Sequence, residues 1–137
     1  MNTTHAPALR TRHSAADVAA LFFVNGATFS SWLPRLPEIR DDLGVGNAGL
    51  GATLLGGGLG GIIGSLLVAR AMDRSGSKRL LTYAASMLSI LMPLIAFVPM
   101  ALLLLLLLTV LGVLDVWNDS AMNAQGVTLR TAATAAR

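Results

Sequence analysis

Asn47 to Ala69 reads NAGLGATLLGGGLGGIIGSLLVA, and no charged side chain interrupts it before Arg70. About 20 apolar helical residues cross a hydrocarbon core about 30 Å thick, so the stretch is long enough to span a bilayer. Gly56, Gly60 and Gly64 recur every fourth residue, with Gly57 and Gly61 in a second row beside them. In lipid it is close packing that joins helices, and such rows admit another backbone. They serve either a tightly packed helix pair or a helix that slides or rocks on its neighbour. Three further apolar stretches, 15–33, 80–98 and 101–123, stand around this one at 47–69. The expected fold is an all-α membrane protein with four transmembrane helices in residues 15–130, between a basic cytoplasmic tail at 1–14 and a second tail at 131–137.

Over all 137 residues, 54% of the side chains are hydrophobic and only 12% are charged, against about 25% charged in an average soluble domain. Mean hydropathy is +0.67. A soluble globule of this size has too little interior for so much apolar surface. The same figures exclude disorder, the 14 glycines exclude a coiled coil, and the lack of cysteine excludes a disulfide framework, a thiolate metal site and a cysteine nucleophile. The formal charge of +3 does not point to nucleic acid. The basic residues lie between apolar runs, with no stacking platform or phosphate-tracking stripe.

The first span follows a polar segment holding His5, Arg10, Arg12 and His13. A basic start before an apolar stretch also describes a signal peptide, but Asn25 and Gly26 interrupt the run and no small-residue cleavage site follows. An uncleaved helix is expected, with Ser14 as N-cap, Asp17 in its positive first turn, and Pro34 and Pro37 ending it. Pro93 should kink the third span. Pro99 and Met100 leave only a very short connection, so the fourth span returns antiparallel, starting with the lipid-compatible run Leu102 to Leu108.

Charge orients the spans. The loop Pro34 to Gly46 sets Arg35 and Arg40 against Glu38, Asp41 and Asp42; the loop Arg70 to Arg79 sets Arg70, Arg74, Lys78 and Arg79 against Asp73; the third loop is uncharged; the last tail holds Arg130 and Arg137. The positive-inside rule places both termini and the 70–79 loop in the cytoplasm, and the other two loops outside.

Three groups of residues rise above lipid filler. The first is the loop itself, Ala69-Arg-Ala-Met-Asp-Arg-Ser-Gly-Ser-Lys-Arg79. Gly76 permits a tight reversal, Arg74, Lys78 and Arg79 anchor the loop at an anionic leaflet, and Asp73 is placed to meet cations or a positive helix end. Its Asp73-Arg74-x-Gly76-x-Lys78 spacing resembles the signature loop between helices 2 and 3 of the major facilitator superfamily of secondary transporters. Ala69 stands where that pattern has Gly, and Ser77 where it has a basic residue. Ser31-Trp-Leu-Pro-Arg-Leu-Pro-Glu-Ile-Arg40 and Asp119-Ser-Ala-Met-Asn-Ala-Gln-Gly126 are similar to a bacterial sub-branch of sugar-permease-like and uncharacterised inner-membrane transporters. The resemblance covers residues 15 to 130 but only the first four helices of a family built as two six-helix halves. It implies the N-terminal part of such a transporter, a fragment or truncated product that does not complete alternating access alone.

The second group lies on the fourth span. Asp115, Asp119 and Asn123 are spaced four apart, with Asn118 beside them, forming a polar stripe. Asp115 falls about 22 Å along the helix from Met100, within the core. An intramembrane carboxylate is costly and marks a functional candidate, and two of them one turn apart suit proton binding. The structural alternatives are an ion pair with Arg70 or Arg74, or exit into the headgroups. The third group is Asn25, Thr28 and Trp32, one face of the first span. By resemblance, the first and fourth helices line a central cavity, where Asn and Trp suit a polar or sugar-like ligand; otherwise Trp32 anchors at the interface and Asn25 bonds a neighbouring helix.

No catalytic triad or phosphate loop is present, since His5 and His13 fall in the tail and no Lys-Ser/Thr follows the glycines. The expected function is transmembrane transport of a small solute at a bacterial inner membrane, with no enzymatic activity and no cofactor or metal. The expected partners are lipid, an unidentified solute with or without a coupled proton, and further transporter helices or a second copy of the chain. A small dimeric multidrug exporter is the competing transporter, but it needs a buried carboxylate in its first helix, and 18–33 has none. A membrane assembly subunit docking through the glycine rows is the non-transport alternative.

Overall fold

The computed structural model describes residues 19–20, 22–27 and 30–135, excluding the side chains of 129, 130 and 132–135. Expectations for the first tail, Ser14, Asp17, Thr28, Arg137 and the Arg130 side chain lie outside the described residues. Among those described there is no strand. Residues 19–20, 22–27 and 30–32 are helical and form α1. A 3₁₀ turn (Leu33–Arg35), α2 (Leu36–Asp42), α3 (Asn47–Ser75), α4 (Ser77–Leu91), a second 3₁₀ segment (Met92–Phe97) and α5 (Ala101–Ala135) follow.

Three helical segments are long and apolar enough to cross a membrane: Asn47–Ser75, Ser77–Phe97 and Ala101–Thr128. Only 22%, 33% and 28% of their most apolar windows are buried within the protein, so most of each apolar circumference faces outward. Leu66 and Phe97 are 72% and 79% exposed. A belt of this kind is an aggregation hazard in water and ordinary in lipid.

The boundaries differ from the sequence expectations for local reasons. The second span does not stop at Ala69: Arg70 to Arg74 are competent helix formers, and the helix continues to Ser75. The expected 70–79 loop is therefore one residue, Gly76, at φ +76°, a conformation that side chains with a Cβ disfavour. Its N–H donates to the Met72 carbonyl at 2.8 Å, and its own carbonyl accepts from Leu80 at 3.1 Å. The third span starts at Ser77 and changes at Pro93, which lacks an N–H and converts the last turns from α to 3₁₀. The fourth expected span passes Asn123 and runs to Ala135, because no proline interrupts it and Gly126 stays within the helix. At 1.5 Å per residue α5 is about 52 Å long, well beyond the hydrocarbon core.

The expected 34–46 loop contains α2. Pro34 and Pro37 occupy first-turn positions of the 3₁₀ turn and of α2, where a missing N–H costs nothing. They follow the end of α1 and start these short helices, and α2 turns Ile39 into the core. The exposed pairs Arg35–Glu38 (3.1 Å) and Arg40–Asp41 (2.7 Å) decorate this end. Arg40 also donates to Asn47 Oδ1 at 3.0 Å, tying α2 to the start of α3.

α5 is the hub, packing chiefly on α3 and then on α4, whereas α3 and α4 touch little. Leu104, Leu108, Leu111 and Leu114 of α5 form one core with Leu88, Met92, Ile95 and Ile39; Ala121 and Met122 form another with Leu80 and Leu81. Early residues of α4 thus meet late residues of α5, so the two run antiparallel. On α3 the order is the reverse. Gly56 faces Leu105, Gly60 faces Thr109 and Gly64 faces Val113, so α3 and α5 run parallel.

Candidate functional site

Asn25 of α1 faces the polar stripe of α5. Its side-chain amide donates to Asp115 Oδ1 and to Asp119 Oδ1, both at 3.3 Å. The carboxylates lie one helical turn apart, so a single NH2 group with two hydrogens reaches both. Each bond is at the long end of the hydrogen-bond range, and all three side chains are partly exposed. Neither carboxylate has an ion-pair partner among the described residues, where the ion pairs are Arg35–Glu38 and Arg40–Asp41. The alternative pairing of this stripe with Arg70 or Arg74 is thus not formed. A neutral amide orients the two anions but does not neutralise them, leaving a place for a proton or a small cation.

Asn118 is 3% exposed, and its Oδ1 is buried without a hydrogen-bond partner. A cavity of about 40 Å³ beside it is lined by Val24, Asn25, Ala85, Leu88, Ser89 and Met122. That space suits one water, which would satisfy the orphan oxygen. Ser89 also lines a larger cleft of about 490 Å³ at the α2 end, together with Trp32, Arg35, Glu38, Asp42 and Pro93. The smaller cavity and the larger cleft therefore share a wall.

The expected constellations are only partly assembled. Asn25, Asp115, Asn118 and Asp119 gather around the α1–α5 contact. Asn123 continues the four-residue spacing but is exposed, and Trp32 lies at the far cleft, two turns from Asn25, its indole nitrogen buried and unpartnered. Nothing in the sequence pattern singled out Ser89, since one serine in an apolar span carries no signal until its neighbours are known.

The glycine rows meet α5. A Cβ on Gly56 would collide with the Leu105 carbonyl oxygen, and one on Gly60 with that of Thr109, whose Cα would lie 3.0 Å away; on Gly64 it would come within 3.0 Å of Val113 Cα. From the other side, a Cβ on Gly112 would strike the Gly57 carbonyl oxygen and lie 3.0 Å from Gly61 N. The row Gly56, Gly60 and Gly64 is therefore filled within the chain, whereas a Cβ on Gly57 would meet open space and one on Gly61 only Val116, at 4.0 Å. Trp117 Nε1 donates to the Gly64 carbonyl at 3.2 Å and pins the far end of the contact. The signature residues Asp73, Arg74, Lys78 and Arg79 flank Gly76, all exposed. Among the described residues no three His, Cys, Asp or Glu side chains gather as metal ligands.

Comparison with protein-family models, with curated proteins and with solved structures yields no match.

Proposed function

We propose that the chain is a multi-pass membrane protein of the major facilitator type, whose α1–α5 junction binds a proton or small cation coupled to movement of a small solute. The observation that carries this reading is the Asn25 amide bridging Asp115 and Asp119, which pair with no Lys or Arg among the described residues. Carboxylates in a membrane-capable helix are retained against a desolvation cost when they serve ion or proton movement. The cleft holding Trp32, and the cavity that shares Ser89 with it, supply an approach from one end of the bundle.

The proposed topology has α1 as a fourth span and both termini in the cytoplasm. Its support is the segregation of charge: Arg70, Arg74, Lys78 and Arg79 cluster at the Gly76 end, while Glu38, Asp41 and Asp42 lie with Arg35 and Arg40 near α2. Single cysteines at Lys78 and Glu38 test it. An impermeant maleimide should label the second and not the first in intact cells, and the opposite pattern rejects the orientation.

Transport itself is tested with Asp119→Asn in a transporter containing these helices. Proton-coupled uptake should fall at least tenfold while membrane insertion is unchanged. Uptake at the unsubstituted rate rejects the coupling role.

A further inference from the structure

At the Gly76 end a cleft of about 500 Å³ opens between α3, α4 and α5. Arg70 and Arg74 enter it from α3 and Arg79 from α4; Leu67, Tyr83 and Trp117 form its apolar wall. No carboxylate lines it. Asp73, on the intervening turn of α3, is not part of the wall, and none of the three guanidinium groups has a hydrogen bond or ion pair among the described residues. The three arginines are exposed to solvent, yet three cations converging on one concavity with no carboxylate favour an anion there, and planar guanidinium groups suit phosphate oxygens.

We propose that this cleft binds the phosphate headgroup of an anionic phospholipid. The order of residues along the helices favours a lipid over a free phosphate. Leu67 lies one turn from Arg70 on the side of the span, and Tyr83 lies one turn from Arg79 on that same side. The cations are therefore outermost at the helix ends, and the apolar wall continues inward along the exposed faces of α3 and α4, where Leu67 and Tyr83 are 39% and 54% exposed. A headgroup followed by an acyl chain has the same polarity order. Trp117 holds the wall in place, since its indole is bonded to Gly64. The assignment rests on membrane embedding but not on transport, so loss of uptake in Asp119→Asn and failure of lipid binding are separate outcomes.

Trp117 provides the reporter, because Trp32→Phe leaves it as the sole tryptophan. In phosphatidylcholine vesicles containing brominated phosphatidylglycerol, its fluorescence should be quenched more than by brominated phosphatidylcholine at the same mole fraction. The excess should disappear in the combined Arg70→Gln, Arg74→Gln, Arg79→Gln variant and persist in millimolar inorganic phosphate. Equal quenching by the two lipids, or an excess that survives loss of the arginines, overturns the proposal. Displacement by inorganic phosphate would assign the cleft to a soluble phosphate and overturn the lipid assignment. Should Trp32→Phe fail to fold, spin-labelled phosphatidylglycerol on the unsubstituted chain gives the same test: its immobilised fraction should exceed that of spin-labelled phosphatidylcholine, and equality contradicts the site.

Discussion

Along the face of α5 that meets α3, glycine backbones lie against the carbonyls of Leu105 and Thr109 with no room for a methyl group. Along the face that meets α1, one amide spans to two carboxylates at 3.3 Å, and a cavity of about 40 Å³ lies beside it. The first contact is backbone against backbone, dry and intolerant of added volume. The second is made by side chains that can change partners, with charge and space left over. One helix thus carries a rigid seam on one side and an adjustable junction on the other. In lipid, expulsion of water drives little helix association, and close packing of the kind seen in the seam is what joins helices.

The contrast is broken most severely by volume in the seam. Gly60→Leu should separate α3 from α5 and cost about 3 kcal/mol or more, read as the shift in denaturant-induced unfolding in mixed micelles. Gly58→Leu, two residues away on another face of the same helix and with open space at its Cβ position, should change stability by less than about 0.5 kcal/mol. Equal losses in the two variants would mean that the glycines matter for backbone freedom and not for contact.

A smaller effect is expected at the end of the seam. Trp117→Phe keeps the ring packing but leaves the Gly64 carbonyl without its indole donor, a loss of about 1 kcal/mol in the same unfolding assay. The smallest effect belongs to the junction: Asn25→Ala should lower stability by only about 0.6 kcal/mol, the size of an average hydrogen bond between helices in a bilayer. If Asn25→Ala proved more damaging than Trp117→Phe, the junction would be structural and the distinction between the two faces would fail.

Much of the helical framework was legible because apolar length and glycine spacing are local properties. Runs at 47–69 and 101–123 lie inside membrane-capable helices and the run at 80–98 overruns its own by one residue, Val98, and Pro93 and Gly76 mark changes in backbone geometry. Helix ends were less legible. The charge at Arg70 to Arg79 suggests a loop, although arginine and lysine are good helix formers and only Gly76 departs from the helix. α2 was missed because a short helix full of charged residues shows its single buried side chain, Ile39, only after the bundle has formed.

For the site, the four-residue spacing of Asp115 and Asp119 could be seen in the sequence, and Asn25 was marked as an interruption in an apolar run. Their meeting could not be read, because it depends on how α1 is rotated against α5. The same rotation leaves Trp32 at another cleft and Asn123 exposed, although helical spacing alone had grouped each with the junction. The arginine cleft was hidden for a related reason: Arg70 and Arg79 converge only when a single residue, not a loop, joins their helices.

The most direct test of the central claim, that the α1–α5 junction is an ion-responsive site, is infrared difference spectroscopy of the reconstituted protein across a change of pH or monovalent cation. A carboxyl band should respond in the unsubstituted chain, shift in Asn25→Ala, and vanish in the combined Asp115→Asn, Asp119→Asn variant. A spectrum in which no carboxyl band depends on Asp115 or Asp119 would contradict it.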